Sequence, residues 1–557
     1  MRLTKTMRWT AVAATTILAV AACSNGGGSG GGGKPTASDN APAKDGGTFR
    51  LGIVEPTAID PYNVQESEGT LVAQNLFTGL TSVDVNGKVS NALAESRTAN
   101  DDCSQWTFKI KGGTTFSNGE PVDAESFVRG WARVAAKDAA SDVAYHMNEI
   151  DGFKELQDGS ATTFRGLSAP DATTLVVKLA IKDCEFDLRT FHTAFSPMPK
   201  VAGPATNKTF NDMPIGNGPF KMEGPWQHNS KITLVRNDSY GLTKAHLDRI
   251  EISILNSANA DQLEYQGFQA GQFDWARIPT EQLSVAKATY GPKNEWYDWE
   301  SNGMNYLLPV TFQGPLKSKE ARQAISYAID RDAIVNGVFK GFRHKATTLV
   351  PSAFKDAYQE GVCASCVKQD KEKAKALAAQ AGLTPGTKLY FGYNTGGGHE
   401  AWVQAVAQQL KDVLGLDVQI DGMPFKDMLK KDKSADATGM YRAAWGADYP
   451  TPGNYLAPLL ATASINEDPT THDAQGDNAG RYSDPAFDAL LQQATGTKDQ
   501  AARDKIYQQA EKLAIGEDQA LIPLFTRQQQ RVANTQKWAN LTYDFNENPT
   551  LATVSQK

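Results

Sequence analysis

Lys388-Leu-Tyr-Phe-Gly-Tyr393, Glu400-Ala-Trp-Val-Gln-Ala-Val-Ala-Gln-Gln-Leu-Lys-Asp-Val413 and Leu416-Asp-Val-Gln-Ile420 follow one another with only short breaks between them. The first is strand-like. In the second, Trp402, Val406, Leu410 and Val413 recur at helical spacing, and in the third Leu416, Val418 and Ile420 alternate as in a strand. Strand, helix, strand is a βαβ unit, which implies parallel pairing and a right-handed crossover. A further strand is expected from Thr438 to Trp445, ending in Gly446-Ala447-Asp448-Tyr449-Pro450. Ligands of open α/β sheets gather beyond the carboxyl ends of such strands, which makes Asp448 a candidate site residue.

The same reading extends outward. At 557 residues the chain exceeds the ~250–300 residues that one hydrophobic core supports, so more than one lobe is expected. A strand is predicted at Thr48 to Ile53, a turn at Asp60-Pro61 and an apolar helix near Val72 to Phe77. Trp106, Phe108 and Ile110 alternate with Thr107, Lys109 and Lys111, the pattern of a half-buried strand. Asp123 is placed to cap a helix whose apolar face is Phe127, Trp131 and Val134. Ala321, Ala324, Ile325, Ala328 and Ile329 predict a helix from Lys319 to Asp330 that opens a new lobe. Amphipathic helices at Pro485 to Ala494 and Ala501 to Ile515 read as packing elements.

The N-terminus carries Arg2, Lys5 and Arg8, an apolar run from Trp9 to Ala22, and the small residues of Val20-Ala21-Ala22-Cys23. This reads as an export signal, too short for the ~20 apolar residues that span a bilayer. Gly26 to Gly33, broken only by Ser29, opens a flexible tether. The remaining cysteines, Cys103, Cys184, Cys363 and Cys366, suggest two disulfides in an oxidising compartment. Cys103 and Cys184 lie beside two neighbouring strand-like runs and are the preferred pair, leaving Cys363 and Cys366 to close a small loop. A redox CxxC or half a zinc site is the alternative, without a helix start, a second CxxC or a nearby His pair to support it. The formal charge of −7 argues against nucleic acid as a partner.

Catalytic chemistry leaves little mark. The seven histidines are scattered, with no HExxH and no pair at metal-ligand spacing, and Gly87-Lys88 is followed by Val89, which a phosphate loop does not tolerate. No cofactor and no metal are expected.

Several longer segments resemble the family of peptide, nickel and opine solute-binding proteins of ABC importers. They are Trp106-Thr-Phe-Lys-Ile-Lys-Gly-Gly-Thr-Thr-Phe-Ser-Asn-Gly-Glu-Pro-Val-Asp-Ala-Glu-Ser-Phe-Val128, Pro214-Ile-Gly-Asn-Gly-Pro-Phe220, Leu234-Val-Arg-Asn-Asp-Ser-Tyr240 and Ala321-Arg-Gln-Ala-Ile-Ser-Tyr-Ala-Ile-Asp-Arg-Asp332. Gly241 departs from the family, which often has Trp there, and is expected to affect packing. The tetrapeptide ending at Cys23 resembles the bacterial lipobox, whose cysteine is acylated.

The resemblance implies an α/β, two-lobed, periplasmic-binding-protein-like fold (type II, cluster C) with an extra subdomain in the first lobe. In this sequence it implies a lipoprotein signal peptide at 1–22, a tether at 23–45, lobe I at 46–90, 205–302 and 525–557, the extra subdomain at 91–204 and lobe II at 303–524. The hinge crossings are expected near Asn302 and Phe525. Implied, too, is a substrate-binding lipoprotein that captures oligopeptides between its lobes and hands them to ABC importer permease subunits. It is expected to be a monomer, extracytoplasmic and held at the cell membrane through Cys23.

Arg442-Ala-Ala-Trp-Gly-Ala-Asp-Tyr449 looks like the oligopeptide-binding branch. There the aspartate matching Asp448 binds the peptide α-ammonium, and the position of Arg442 can meet a ligand carboxylate. Trp445 and Tyr449 would shape the first side-chain pockets and Phe425 another aromatic wall. Gln65, Glu66 and Ser67 would lie extended along the peptide backbone. The alternatives are the same scaffold binding a metal chelate, haem or oligosaccharide, and a secreted peptide-processing enzyme.

Overall fold

The computed structural model describes residues 43–255, 259–395 and 398–557. The signal segment, Cys23 and nearly all of the tether lie outside the described residues.

One ten-stranded sheet runs through the molecule in the order Asp417–Met423, Lys388–Asn394, Met440–Gly446, Trp296–Pro309, Ile522–Ala533, Trp275–Arg277, Thr48–Val54, Arg249–Leu255, Lys231–Arg236 and Phe220–Met222. Its two long central strands, Trp296–Pro309 and Ile522–Ala533, pair antiparallel and join a lobe on either side. Their register is interrupted between Glu300 and Met304. On one flank Lys388–Asn394 pairs parallel with both Asp417–Met423 and Met440–Gly446, with the helix Glu400–Leu414 as the crossover. On the other flank Thr48–Val54 pairs parallel with Arg249–Leu255.

Each lobe encloses its own apolar centre. Phe49, Leu51, Ile232, Leu234, Ile250 and Trp275 pack in the first, with Trp538 from the chain's end. In the second, Ile325, Leu389, Phe391, Trp402 and Val406 pack beneath the crossover helix. A separate antiparallel sheet, Ala94–Ala99, Gln105–Ile110, Thr174–Lys178 and Leu167–Asp171, builds the extra subdomain with the helix Ala124–Ala135 against it. Asp123 and Ser126 form a reciprocal cap at that helix's start, and Trp131 inside it donates to the Phe195 carbonyl at 2.8 Å.

The segment Pro214–Phe220 is architectural. The Gly218 N–H donates to the Leu76 carbonyl at 2.7 Å, and a Cβ on Gly216 would sit 1.8 Å from that same oxygen. A Cβ on Gly241 would meet Thr114 Cγ2 at 2.8 Å, so a larger residue there requires Thr114 to move.

Several elements depart from the sequence reading. The helix expected over 319–330 ends at Ala328, and Asp330 instead caps a second helix, Arg331–Gly337, by accepting the Ala333 N–H. The late helix Gln500–Glu511 continues as a π-helical segment, Lys512–Glu517, where the Glu511 carboxylate leaves the helix to accept from Thr348 Oγ1 and the N–H groups of Leu349 and Val350. Asp417–Met423 is an edge strand, which leaves Ile420 41% exposed. The bond between Cys363 and Cys366 sits at the start of a helical turn, Ala364–Val367, where no helix start was expected, and both cysteines are buried. Cys103 and Cys184 are bonded across 81 residues.

Candidate functional site

The loop after Met440–Gly446 carries the densest set of candidate residues, and Asn454 holds it. Asn454, in the first turn of the helix Gly453–Leu460, is 5% exposed. Its Oδ1 accepts the Asp448 N–H and its carbonyl accepts Trp445 Nε1, each at 2.7 Å. From the crossing strand, Asn302 Nδ2 donates to the Ala447 carbonyl at 3.5 Å and the Phe545 carbonyl at 3.4 Å. Trp445 and Asp448 are therefore fixed from behind, with the carboxylate left free of these backbone duties.

Asp448 is half-buried. Burial pushes its carboxyl up to about 6, and the nearby charge of Asp477 adds to this; Asn454, Tyr145 and Arg189 pull the other way without cancelling it. No cation lies within ion-pair distance of it among the described residues. Tyr145 reaches this carboxylate from the extra subdomain, where it stands 51% exposed in the turn Ala144–Met147. A carboxylate kept mostly ionised at neutral pH, partly dehydrated and lacking a cation favours an incoming ammonium, because charge-assisted hydrogen bonds are the strong ones.

The other side of the loop is anchored to the subdomain. Glu185, 4% exposed, accepts Thr451 Oγ1 at 2.5 Å and the Tyr507 hydroxyl, and pairs with Arg503 at 3.0 Å. Next to it the Cys184 N–H donates to the Thr495 carbonyl at 2.8 Å, so the Cys103–Cys184 bond fastens the segment that reaches the second lobe. Arg189, paired with Asp183 at 2.6 Å, lies 4.7 Å over the Tyr449 ring. Tyr449 thus packs against a subdomain cation.

The remaining predicted residues are dispersed. Arg442 is half-buried opposite Leu307; its Nε is enclosed without a partner, and burial lowers its pKa. Phe425 is 52% exposed at the start of the helix Phe425–Asp432. That helix follows the edge strand, two strands away from Met440–Gly446. Val64 and Glu66 have extended backbone, and the helix starts directly after them at Ser67. The Glu66 carboxylate accepts the Thr57 N–H at 2.8 Å, Ser67 begins the helix Ser67–Leu76, and Gln65 Nε2 donates to Asp142. Within that helix Gly69 fits closely against the Ala58 carbonyl.

Ser67 nevertheless lines a cavity of about 280 Å³ together with Glu68, Arg277, Arg343 and Arg527. Sequence reading did not select Tyr145 or Asn454. Neither carries a local signal, since each acts only through a partner brought in by the fold. Among the described residues no group of His, Cys, Asp and Glu is arranged to hold a metal ion, and no helix is long and apolar enough to cross a membrane.

Comparison with known proteins places this architecture. The oligopeptide-binding protein OppA of Bacillus subtilis is 29% identical over 498 residues, covering 85% of this chain and 87% of the relative. The probable deoxycholate-binding periplasmic protein YgiS of Escherichia coli is 28% identical over 499 residues, 87% of this chain and 89% of that protein. The unliganded open form of the periplasmic murein tripeptide-binding protein MppA superposes with a TM-score of 0.77 at 24% identity, over 94% of this chain and 99% of that one. The fold is the two-lobed one of periplasmic binding proteins, and the role is binding, not catalysis. The family model described as bacterial extracellular solute-binding proteins, family 5 middle, matches residues 88–467, and the chain belongs to that family.

Proposed function

We propose that this protein captures oligopeptides in the cleft between its lobes and delivers them to the permease of an ABC importer. The observation that carries the reading is Asp448: a half-buried carboxylate at a strand's carboxyl end, held by Asn454 and approached by Tyr145, with no cation within ion-pair distance among the described residues. It would receive the peptide α-ammonium, with Trp445 and Tyr449 bounding the first residues. Relatives named for oligopeptide binding support this choice of ligand.

Closure would bend the crossing strands near Asn302 and Phe525, beside the break in register, around lobes divided at about the boundaries the resemblance implies. Ligand would stabilise the closed form recognised by the importer. The lipobox-like residues support acylation of Cys23 and a place on the outer side of the cell membrane.

Calorimetry tests the reading. Asp448→Ala is expected to leave the fold intact and to weaken peptides with a free amino terminus by roughly 100-fold, the scale of a lost buried charge pair. Unchanged affinity removes Asp448 from the site. A second reading, a non-peptide solute, is favoured by the relative named for deoxycholate. Native mass spectrometry of gently purified protein separates the two by the mass of the retained ligand.

A further inference from the structure

A second cavity, of about 800 Å³, lies apart from the loop that carries Asp448. Its walls are the end of the helix Ser67–Leu76 with the chain that follows, the paired strands Thr81–Val83 and Val89–Asn91, and the loop from Tyr240 to Thr243. Lys111, Phe191 and Thr193 close it from the extra subdomain, and the C-terminal segment from Asp544 to Thr553 completes it. Among the described residues that line it, none falls between 303 and 524. The cavity therefore sits between the first lobe and the extra subdomain, and the second lobe contributes nothing to it.

Apolar side chains set its character. Phe77 and Leu551 are buried in its walls, whereas Val83, Phe191 and Leu242 are only half-buried, so part of each is still reachable. The walls are held by their own neighbours. The Phe191 ring meets Phe545 edge to face with centroids 5.8 Å apart, and the Tyr240 hydroxyl is bonded to Thr78 Oγ1 at 2.9 Å. Sites for small molecules are of this kind: mostly apolar, largely preformed, and ~300–1,000 Å³ in volume.

Two charged residues line the cavity, and their circumstances differ. The Asp544 carboxylate accepts Gln74 Nε2 at 2.6 Å and the Asn548 N–H at 3.0 Å. Lys111 follows the strand Gln105–Ile110, and its own N–H donates to the Leu93 carbonyl at 2.8 Å. Its ammonium has neither a hydrogen bond nor an ion pair among the described residues, although the residue is half-buried. Thr193, 7% exposed, lines the same space, and its Oγ1 has no hydrogen-bond partner. An ammonium partly withdrawn from water and lacking an anion favours a carboxylate, because charge-assisted hydrogen bonds are the strong ones. The apolar walls favour a ligand whose remaining surface is apolar.

We infer that this cavity is a second binding site, which takes a small amphipathic carboxylic acid. The ligand's apolar rings lie against Val83, Phe191 and Leu242, and its carboxylate meets the Lys111 ammonium. A peptide chain suits the space poorly, since its amides would lose water against apolar walls without gaining partners. With no second-lobe residue taking part, the acid is held whether the lobes are open or closed, and whatever the cleft binds.

Fluorescence anisotropy on the whole protein tests this with pyrenebutyrate, the neutral pyrenebutanol and the cationic pyrenebutylamine. Pyrenebutyrate is expected to bind about tenfold tighter than pyrenebutanol, the scale of one charge-assisted hydrogen bond, with the amine weakest. Lys111→Gln should bring the acid to within about twofold of the alcohol, and Lys111→Arg should keep most of the preference. Leu242→Trp, which fills part of the space, should weaken acid and alcohol alike by about tenfold; Val83→Trp serves the same purpose if that variant does not fold. Acid and alcohol within twofold of each other, an amine that binds as tightly as the acid, or a preference that survives Lys111→Gln overturns the inference. So does binding that a folded tryptophan variant leaves untouched, which would put the probe in the inter-lobe cleft, and so does a protein that binds none of the three probes.

Discussion

Two carboxylates, Glu185 and Asp448, stand on opposite sides of one short loop, and burial pushes both above the ordinary carboxylate range. Glu185 is closed in by an arginine, a threonine and a tyrosine, all from the second lobe. Asp448 has a tyrosine and an asparagine, and among the described residues no cation within ion-pair distance, Arg189 acting on it only from farther off. The shift is therefore a poor guide to function by itself, and the number and kind of partners separates the two. A buried acid with its partners in place holds an interface together, whereas one missing its cation is held ready for a ligand.

The contrast can be broken at several points. The largest effect is expected from Glu185→Ala, which takes the acceptor from the enclosed Tyr507 hydroxyl and the ion-pair partner from Arg503. Denaturant unfolding should show a loss of ~3–5 kcal/mol, while peptide affinity of the folded protein stays within about threefold. A large affinity loss with little change in stability would reverse the roles of the two acids.

Next in size, replacing Cys103 and Cys184 by serine releases the segment that carries Glu185. With the cysteines 81 positions apart, the unfolded-chain entropy model gives a loss of about 4.5 kcal/mol. The pair Cys363 and Cys366, three positions apart, should cost less than half as much, about 1.5–2 kcal/mol. Equal losses on thermal unfolding would show that native contacts, rather than loop length, set the effect.

Asp448→Asn should move stability the opposite way. Its carboxyl ionises at about 6 in the folded chain and near 3.8 in the unfolded one. Its favourable contribution is therefore full below about pH 4 and lost as pH rises through 6. Removing the charge should stabilise the protein at pH 7 by ~1–2 kcal/mol, with no gain at pH 3.5. By the same titration, peptide affinity of the native protein should fall below about pH 6, where the carboxylate that pairs with an ammonium is protonated. A flat calorimetric profile from pH 7 to 5 would set Asp448 aside. The smallest effect belongs to Tyr145→Phe, expected to weaken peptide binding by about fivefold, the worth of one hydrogen bond.

How much of this could be read in advance follows the same division. The βαβ unit was legible because Trp402, Val406 and Leu410 declare a helix by spacing alone, and the strand before Asp448 because it ends in a glycine-bounded turn. The extra subdomain showed itself through Trp106, Phe108 and Ile110 and through the Asp123 cap. What escaped depends on contacts between distant segments. Tyr145 sits in a short turn with no periodicity, and Glu185 looks like any acid beside a cysteine until Arg503 and Tyr507 are brought to it. The setting of Gln65 and Glu66 likewise depends on distant partners, Asp142 and Thr57.

The first lobe is assembled from pieces far apart along the chain. Trp275–Arg277 completes its pairing only with Arg531, Val532 and Ala533, and Trp538 packs against Phe49. A chain emerging N-terminus first can therefore fold its extra subdomain and βαβ unit early, yet must keep Phe49 and Trp275 uncovered until its last residues arrive. Completion of the first lobe is a late, long-range step, and it is the stage at which a folding helper would have the most apolar surface to shield.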